Sequence, residues 1–257
     1  MTVSLDQHQI EIQHNLKRWN SKPLLREIYA GFYEKLVSHV DPKLPGPVVE
    51  VGSGIGNIKS SLPEAITTDL FPNPWLDQVC DAYDLPFESG TISHVVMFDV
   101  FHHLRCPAAV LREVKRVLTE FGRLIIFDPY ISLCSFPIYG LLHHEPIAWR
   151  QPIDLTEVQP GSNDYYAAQG NATRLFFKNE APDWPPGWAL LHAEAFSCFH
   201  YLLSGGYSKP TLYPRACLSK VQWMDRILSC WPSVFGGRCV VVLQNSSKVA
   251  GKGTKSV

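Results

Sequence analysis

The residues of this chain that could do chemistry sit at the ends of strand-like runs. The first run, Val48-Val49-Glu50-Val51-Gly52-Ser53-Gly54-Ile55-Gly56, is apolar and closes on an acid and a G-x-G-x-G turn. Glycines there permit positive φ and leave no Cβ between the backbone and a ligand, and a helix beyond them offers unpaired N–H groups. The stretch therefore reads as a strand feeding a nucleotide-binding loop. A plain tight turn between strand and helix can use the same pattern, so the downstream residues decide. Asp69 ends the next strand-like run, 65–70, roughly 20 residues beyond the glycines, where nucleotide folds place a ribose-binding carboxylate. Asp81 and Asp84 stand in the segment CDAYDLPF, Asp99 ends the run 94–99, and Asp128 ends the run 122–129 before Pro129. Acids at the carboxyl ends of consecutive strands form one rim. Within it, Asp99 also suits a helix cap and Asp128 a turn.

Histidines supply the candidate bases, since an imidazole titrates near neutral pH and can take a proton from a hydroxyl or an acidic carbon. His102-His103 follows the fourth strand-like run, and His143-His144-Glu145-Pro146 could bring a His–Glu couple to the same edge. Hydrogen bonding within loops is the competing role for both groups. No metal is expected, because no ligand set of recognisable spacing appears. The seven cysteines are scattered without a C-x-x-C pair, and most read as buried thiols. Two N-x-S/T triplets, Asn171-Ala172-Thr173 and Asn245-Ser246-Ser247, carry no meaning without a secretion signal.

These residues need elements to position them. Over 10–40, Leu24, Leu25, Ile28, Phe32, Leu36 and Val37 recur at three- and four-residue steps, with Pro23 suited to a first helical turn, so an amphipathic helical region is expected. Asp41-Pro42 and Pro45-Gly46-Pro47 stop it. Residues 47–130 alternate as a Rossmann-like α/β unit, with a crossover helix at 108–118. Residues 131–195 are rich in Pro, Trp and Tyr and lack sustained periodicity; a stretch so long is expected to fold over the carboxyl edge of the sheet. Its Trp149, Trp184 and Trp188 would either wall an apolar pocket or anchor the segment. Regular pattern returns at 196–203, in a helix near 218–230, and in a strand at 239–243. The expected organisation is a helical lid at 1–46, a core at 47–130 and 196–244, an inserted cap at 131–195, and a disordered tail at 245–257.

Bulk properties exclude several functions. A chain of 257 residues buries a sizeable core. Its net charge of −1 and isoelectric point near 6.8 leave no basic excess for a phosphate backbone, so nucleic acid is an unlike partner for it. The first residues lack a basic-then-apolar pattern, and no apolar run approaches the roughly 20 residues of a membrane span. A cytoplasmic protein is expected.

The segments EVGSGIGN, TTDL, DAYDLPFESGTISHVVMFDVFHHL and VLTEFGRLIIFDP, in this order and spacing, resemble the class I S-adenosylmethionine-dependent methyltransferases, in particular the small-molecule, methyltransferase-11-like branch. RWNSKPLLREIYAGFYEKL, LLHHEP and YLLSGG further resemble an uncharacterised bacterial subgroup. The resemblance implies a seven-stranded methyltransferase sheet with one antiparallel strand, and S-adenosylmethionine as cofactor. By it, Gly52, Ser53, Gly54 and Gly56 carry the methionine end, and Glu50 orders the loop or receives the amino group. Asp69 takes the ribose hydroxyls, Asp81 with the Ala82 backbone faces the adenine amine, and Leu70 and Phe98 lie near adenine or sulfur. The lid of the subgroup, with Trp19, Lys22, Arg26, Tyr29, Phe32 and Tyr33, implies that Arg26 or Tyr33 reaches the methionine carboxylate or the acceptor, although helical spacing alone makes Tyr29 and Phe32 core. His103, His102 and His144 are the candidate catalytic residues, His103 foremost, because the family turns that loop to the methyl. Ser204-Gly205-Gly206 reads as a hairpin-like turn in preference to an anion site.

The expected reaction is methyl transfer to a small organic acceptor by a monomer or homodimer, O-methylation being favoured over C-methylation because a histidine near the methyl suits hydroxyl deprotonation. A catalytically silent binder of the cofactor or of a partner stays open. An NAD-dependent oxidoreductase is disfavoured: counted from Gly52 and Gly54, the third glycine of G-x-G-x-x-G would fall at Asn57, and Gly56 comes one position early.

Overall fold

The computed structural model describes residues 5–142, 145–153, 166–180 and 186–246. Its centre is a seven-stranded sheet in the order β3-β2-β1-β4-β5-β7-β6. The strands are β1 (Val48–Val51), β2 (Ile66–Asp69), β3 (Gln78–Val79), β4 (Ile92–Phe98), β5 (Leu118–Pro129), β6 (Trp188–Ser197) and β7 (Gly236–Asn245). All pairings from β3 to β5 are parallel, and β7 runs antiparallel to both β5 and β6. Val51 pairs with Thr68 and with Met97, and Phe98 pairs with Phe127. This register brings the glycine loop, Asp69, Asp99 and Asp128 out at one edge.

The central strands are apolar on both faces, as a sheet covered on both sides requires. Val95, Met97, Leu124, Ile126 and Val241 face α3 (Pro107–Val117), whose Val110, Leu111 and Val114 are fully buried. Val96, Phe98, Ile125, Phe127, Val240 and Val242 face α2 (Pro23–Val37), which contributes Leu25, Ile28, Phe32 and Leu36. The expected lid is therefore, along α2, a layer of the core. It is preceded by α1 (Leu5–Ser21), and the break between them falls at Lys22 because Pro23 has no N–H to continue a helix and its ring excludes the preceding turn.

Several expectations are corrected. The glycine loop leads into a single 3-10 turn, Asn57–Ser60, where a longer helix was expected. The strand expected to begin at Gly122 begins at Leu118, pairing with Ile92 before a register shift, and Phe121 takes a positive φ of 65° there. The stretch 131–195 is not one inserted cap. After the short helices α4 (Ser135–Pro137) and a π-turn at Ile138–Leu142, α5 (Asn171–Phe177) buries Ala172 and Leu175 in the main core, and Trp188 already opens β6. The expected tail likewise loses its first residue to the sheet, since Asn245 ends β7. Helices α6 (Phe199–Ser204), α7 (Leu218–Leu228) and α8 (Pro232–Phe235) link β6 to β7. Gly205, at φ 74°, ends α6, so Ser204-Gly205-Gly206 is a helix-stop turn and not a hairpin; Lys22 Nζ donates to the carbonyls of Ser204 and Gly206 at 2.6 and 2.7 Å. Among the described residues no helix is long and apolar enough to cross a membrane.

Candidate active site

The glycine loop is held by its own short side chains. Ser53 N–H donates to the Thr68 carbonyl at 2.8 Å, and Ser53 Oγ and Thr68 Oγ1 both donate to the Glu50 carbonyl, at 3.1 and 2.9 Å. The loop is thereby tied to the end of β2. Gly52 has φ 73°, and a Cβ there would overlap the Val100 side chain. Gly54 has φ 52°, and a Cβ there would point into open space. One glycine is thus needed for packing and the other leaves a backbone surface bare.

Asp69 stands beside that surface. Its Oδ2 accepts the Gly54 N–H at 2.9 Å and its Oδ1 the Leu70 N–H at 2.7 Å, so the carboxylate is aimed by two backbone donors and remains part-exposed. Glu50 lies deeper. It is fully buried, its Oε1 accepts the Tyr33 hydroxyl at 3.0 Å, and its Oε2 has no hydrogen-bond partner. Burial pushes its carboxyl up to about 8. An orphaned carboxyl oxygen at the root of the glycine loop fits the ammonium of an amino-acid moiety. Asp81 Oδ1 is occupied by its local turn, accepting Tyr83 N–H at 2.9 Å, with its other oxygen and the half-buried Ala82 on the same rim; Leu70 is exposed. Phe98 is enclosed, stacked between Phe127 at 4.6 Å and Tyr33 at 5.0 Å with Tyr29 at 5.3 Å, so it serves the wall beneath the site.

The histidines lie across the rim. Asp99 leaves β4 at φ 57° and turns the chain into a 3-10 turn, Phe101–His103, with Phe101 fully buried as its anchor. His102 Nδ1 meets Asp128 Oδ1 at 2.9 Å, and His103 Nδ1 meets the Tyr166 carbonyl at 2.9 Å. The two Nε2 atoms converge on one carboxylate: His102 Nε2 lies 3.5 Å from Glu145 Oε2 and His103 Nε2 3.6 Å from Glu145 Oε1. Gln169 Nε2 donates to that same Oε2. Burial opposes a charge on His102, but Asp128 and Glu145 outweigh it and push its pKa up to about 10. Burial, followed by the neighbouring His102, pushes His103 down to about 4. His102 is buried, whereas the His103 side chain is 31% exposed and forms the open edge of the cluster.

His143 and His144 lie outside the described residues, as does Trp184. Arg26 spends its guanidinium on the carbonyls of Trp19 and Asn20, at 2.6 and 3.0 Å, where it closes the end of α1. Asp128, readable as a turn residue, is instead fully buried against His102. The sequence reading passed over Arg238, which is buried, pairs with Asp99, and lies 4.8 Å from the Tyr201 ring. An arginine heading the apolar run 239–243 was its signal, since a charge in a central strand needs a buried partner. It also passed over Tyr166, whose main-chain carbonyl holds His103, and Gln169, whose side-chain amide donates to Glu145.

Comparison with known proteins bears on this geometry. Residues 49–126 match the family model described as a methyltransferase domain. Among solved structures, the Haloferax volcanii complex of a methyltransferase activator with a methyltransferase aligns with a TM-score of 0.50 at 15% identity, covering 85% of this chain and 90% of that one. Geranyl diphosphate methyltransferase in complex with its diphosphate ligand and sinefungin aligns with a TM-score of 0.50 at 14% identity, covering 84% and 78%. A Thermotoga maritima S-adenosylmethionine-dependent methyltransferase aligns at 0.49 and 14%, covering 92% and 99%. No curated protein matches the sequence.

Proposed function

We propose that this chain, a class I S-adenosylmethionine-dependent methyltransferase, methylates an oxygen of a small organic acceptor seated at the His102–His103–Glu145 cluster. When bound, the cofactor supplies an electrophilic methyl group. The residues suited to hold it are the 52–56 loop with its bare Gly54 backbone, Glu50 with its unpartnered oxygen for the amino group, Asp69 for the ribose hydroxyls, and Asp81 with Ala82 and Leu70 on the adenine side. Tyr33 fixes the Glu50 carboxyl through its hydroxyl.

Methylating a hydroxyl requires that its proton be drawn off while the oxygen is held in line, and positioning of this kind is worth as much as about 7–11 kcal/mol. The observation that carries the reading is the contact of His103 Nδ1 with the Tyr166 carbonyl, which sets its tautomer. A carbonyl can only accept, so His103 Nδ1 donates to Tyr166, and the part-exposed edge of the neutral ring presents an Nε2 lone pair beside Glu145. That edge suits an acceptor O–H. A small acceptor is favoured because the rim offers buried histidine and carboxylate groups and the chain has no basic excess.

The test is calorimetry with S-adenosylmethionine, S-adenosylhomocysteine and NADH, followed by mass spectrometry of hydroxylated small molecules incubated with the first. Saturable binding of both sulfur nucleotides, no binding of NADH, and gain of one methyl on oxygen support the reading. Methyl gain on carbon alone would overturn the choice of atom.

A further inference from the structure

The separations around Glu145 are long for hydrogen bonds. Nitrogen to oxygen hydrogen bonds cluster near 2.7–3.2 Å, and the two Nε2–carboxylate separations are 3.5 and 3.6 Å. They do suit two ligands of one ion. With metal–ligand bonds of about 2.0–2.2 Å, neighbouring ligand atoms stand roughly 3–3.5 Å apart. The ligand atoms of His102, His103 and Glu145 all lie within 4.8 Å of one another.

The surroundings of each imidazole carry the argument further. A metal-binding histidine coordinates through one nitrogen and donates the other N–H to a carboxylate or a backbone carbonyl, which fixes the ring and raises its basicity. Here His102 Nδ1 is spent on the Asp128 carboxylate and His103 Nδ1 on the Tyr166 carbonyl, both at 2.9 Å. Both rings thus turn their remaining nitrogen to the same carboxylate. Glu145 is itself oriented by the Gln169 amide, and Asp128 is fully buried. A second possible group, Asp99 with His102 and Asp128, is less suited, because Asp99 already has the Arg238 guanidinium as its cation.

We propose that His102 Nε2, His103 Nε2 and Glu145 bind a divalent transition-metal ion. Two imidazole donors and one carboxylate select zinc, cobalt, manganese or ferrous iron over magnesium or calcium, which take oxygen ligands. Among the described residues the site has three protein ligands, and His103 forms its part-exposed side. The site deepens the proposed function, on which its role toward the acceptor rests: in the loaded protein the imidazoles would be ligands and the ion would face the acceptor oxygen, whereas in the stripped protein His103 faces it. Metal binding itself does not depend on that role.

The experiment treats the full chain with chelator and titrates it separately with zinc, cobalt and manganese chlorides, by calorimetry and by the visible absorption of cobalt. One equivalent of ion per chain is expected, with a cobalt spectrum characteristic of nitrogen ligation. His103→Gln and Glu145→Gln should abolish it while S-adenosylhomocysteine binding persists, which certifies the fold. Asp128→Asn, a positioning change, should weaken it 10–100-fold. A Cys230→Ser background removes the exposed thiol as a competing ligand. No saturable binding of any of the three ions, or binding that survives both glutamine variants, would overturn the site. Should the ions bind and the sulfur nucleotide not, the metal site stands and the proposed function falls; the reverse result removes the metal site alone.

Discussion

Glu50 gives the sharpest test of the cofactor half of the site. Burial pushes its carboxyl up to about 8 against the Ser53 and Tyr33 hydroxyls, which favour the charged form, and Oε2 has no partner within hydrogen-bond geometry. Near pH 7 it is therefore about nine-tenths protonated in the ligand-free protein. An ammonium group brought against Oε2 favours the carboxylate and returns its pKa toward the ordinary range, a change of about three units, or on the order of 4 kcal/mol of coupling. The sign is fixed: the ligand binds the deprotonated form better, so binding releases a proton, and affinity rises with pH until about 8 and then levels. S-adenosylhomocysteine, which cannot react, is the appropriate ligand. Calorimetry between pH 6 and 7 in buffers of different ionisation enthalpy should return close to one proton released, with affinity rising roughly tenfold per pH unit. Glu50→Gln should bind with neither proton release nor that slope. The same group acts on stability. A carboxyl whose folded pKa is raised contributes stability at low pH that is lost as pH rises from the ordinary carboxylate range through about 8, so Glu50→Gln should raise the melting temperature at pH 9 and leave it nearly unchanged at pH 4. Proton uptake on binding, or identical pH profiles for wild type and Glu50→Gln, would refute the placement of Glu50 at the amino group.

Asp69→Ala should weaken S-adenosylhomocysteine binding by about 1–3 kcal/mol in calorimetry, the range for hydrogen bonds to a charged group. Gly54→Ala should abolish that binding at a stability cost of only about 1–3 kcal/mol from its left-handed backbone, because its Cβ meets no protein atom; Gly52→Ala, which adds overlap with Val100, should lower the melting temperature further. His103→Ala should reduce turnover on an acceptor while calorimetric affinity for the cofactor stays unchanged, as for a group that serves the transition state. Unaltered turnover would make His103 a loop-holding residue.

Much of the fold was legible because its strands carry their evidence locally. β1 and its glycines, the acid ending β2, and the continuous apolar runs of β4 and β7 each announce a covered strand within a few residues. The start of β6 was not legible, for a physical reason: it is an edge strand whose Leu190 and Leu191 are both exposed, so no alternation marks it. α5 was hidden by length. Its seven residues are too few for a helical period to show against the Pro- and Trp-rich text around it.

The two halves of the site differed in legibility because they are assembled differently. The proposed cofactor-side residues from Glu50 to Phe98 lie within a single run of alternating strands and loops, so the role proposed for each follows from its distance to the glycines; Tyr33 comes from α2. The proposed acceptor side draws His102 and His103 from the 3-10 turn after β4, Asp128 from β5, Glu145 and Gln169 from the following segment, and Tyr166 through its main chain. A carbonyl has no residue type, so nothing in the sequence could have shown that His103 would be fixed by position 166, and Asp-Pro at 128–129 reads as a turn until His102 is seen beside it. The same assembly ties the two imidazoles to elements distant in the chain. His102 is held by β5 and His103 by the segment that leads into α5, where Ala168 N–H also donates to the His102 carbonyl at 2.9 Å. A change that moves the 166–170 backbone should shift the proposed acceptor side of the rim while Gly54, Glu50 and Asp69 stay in place, leaving S-adenosylhomocysteine affinity unchanged in calorimetry.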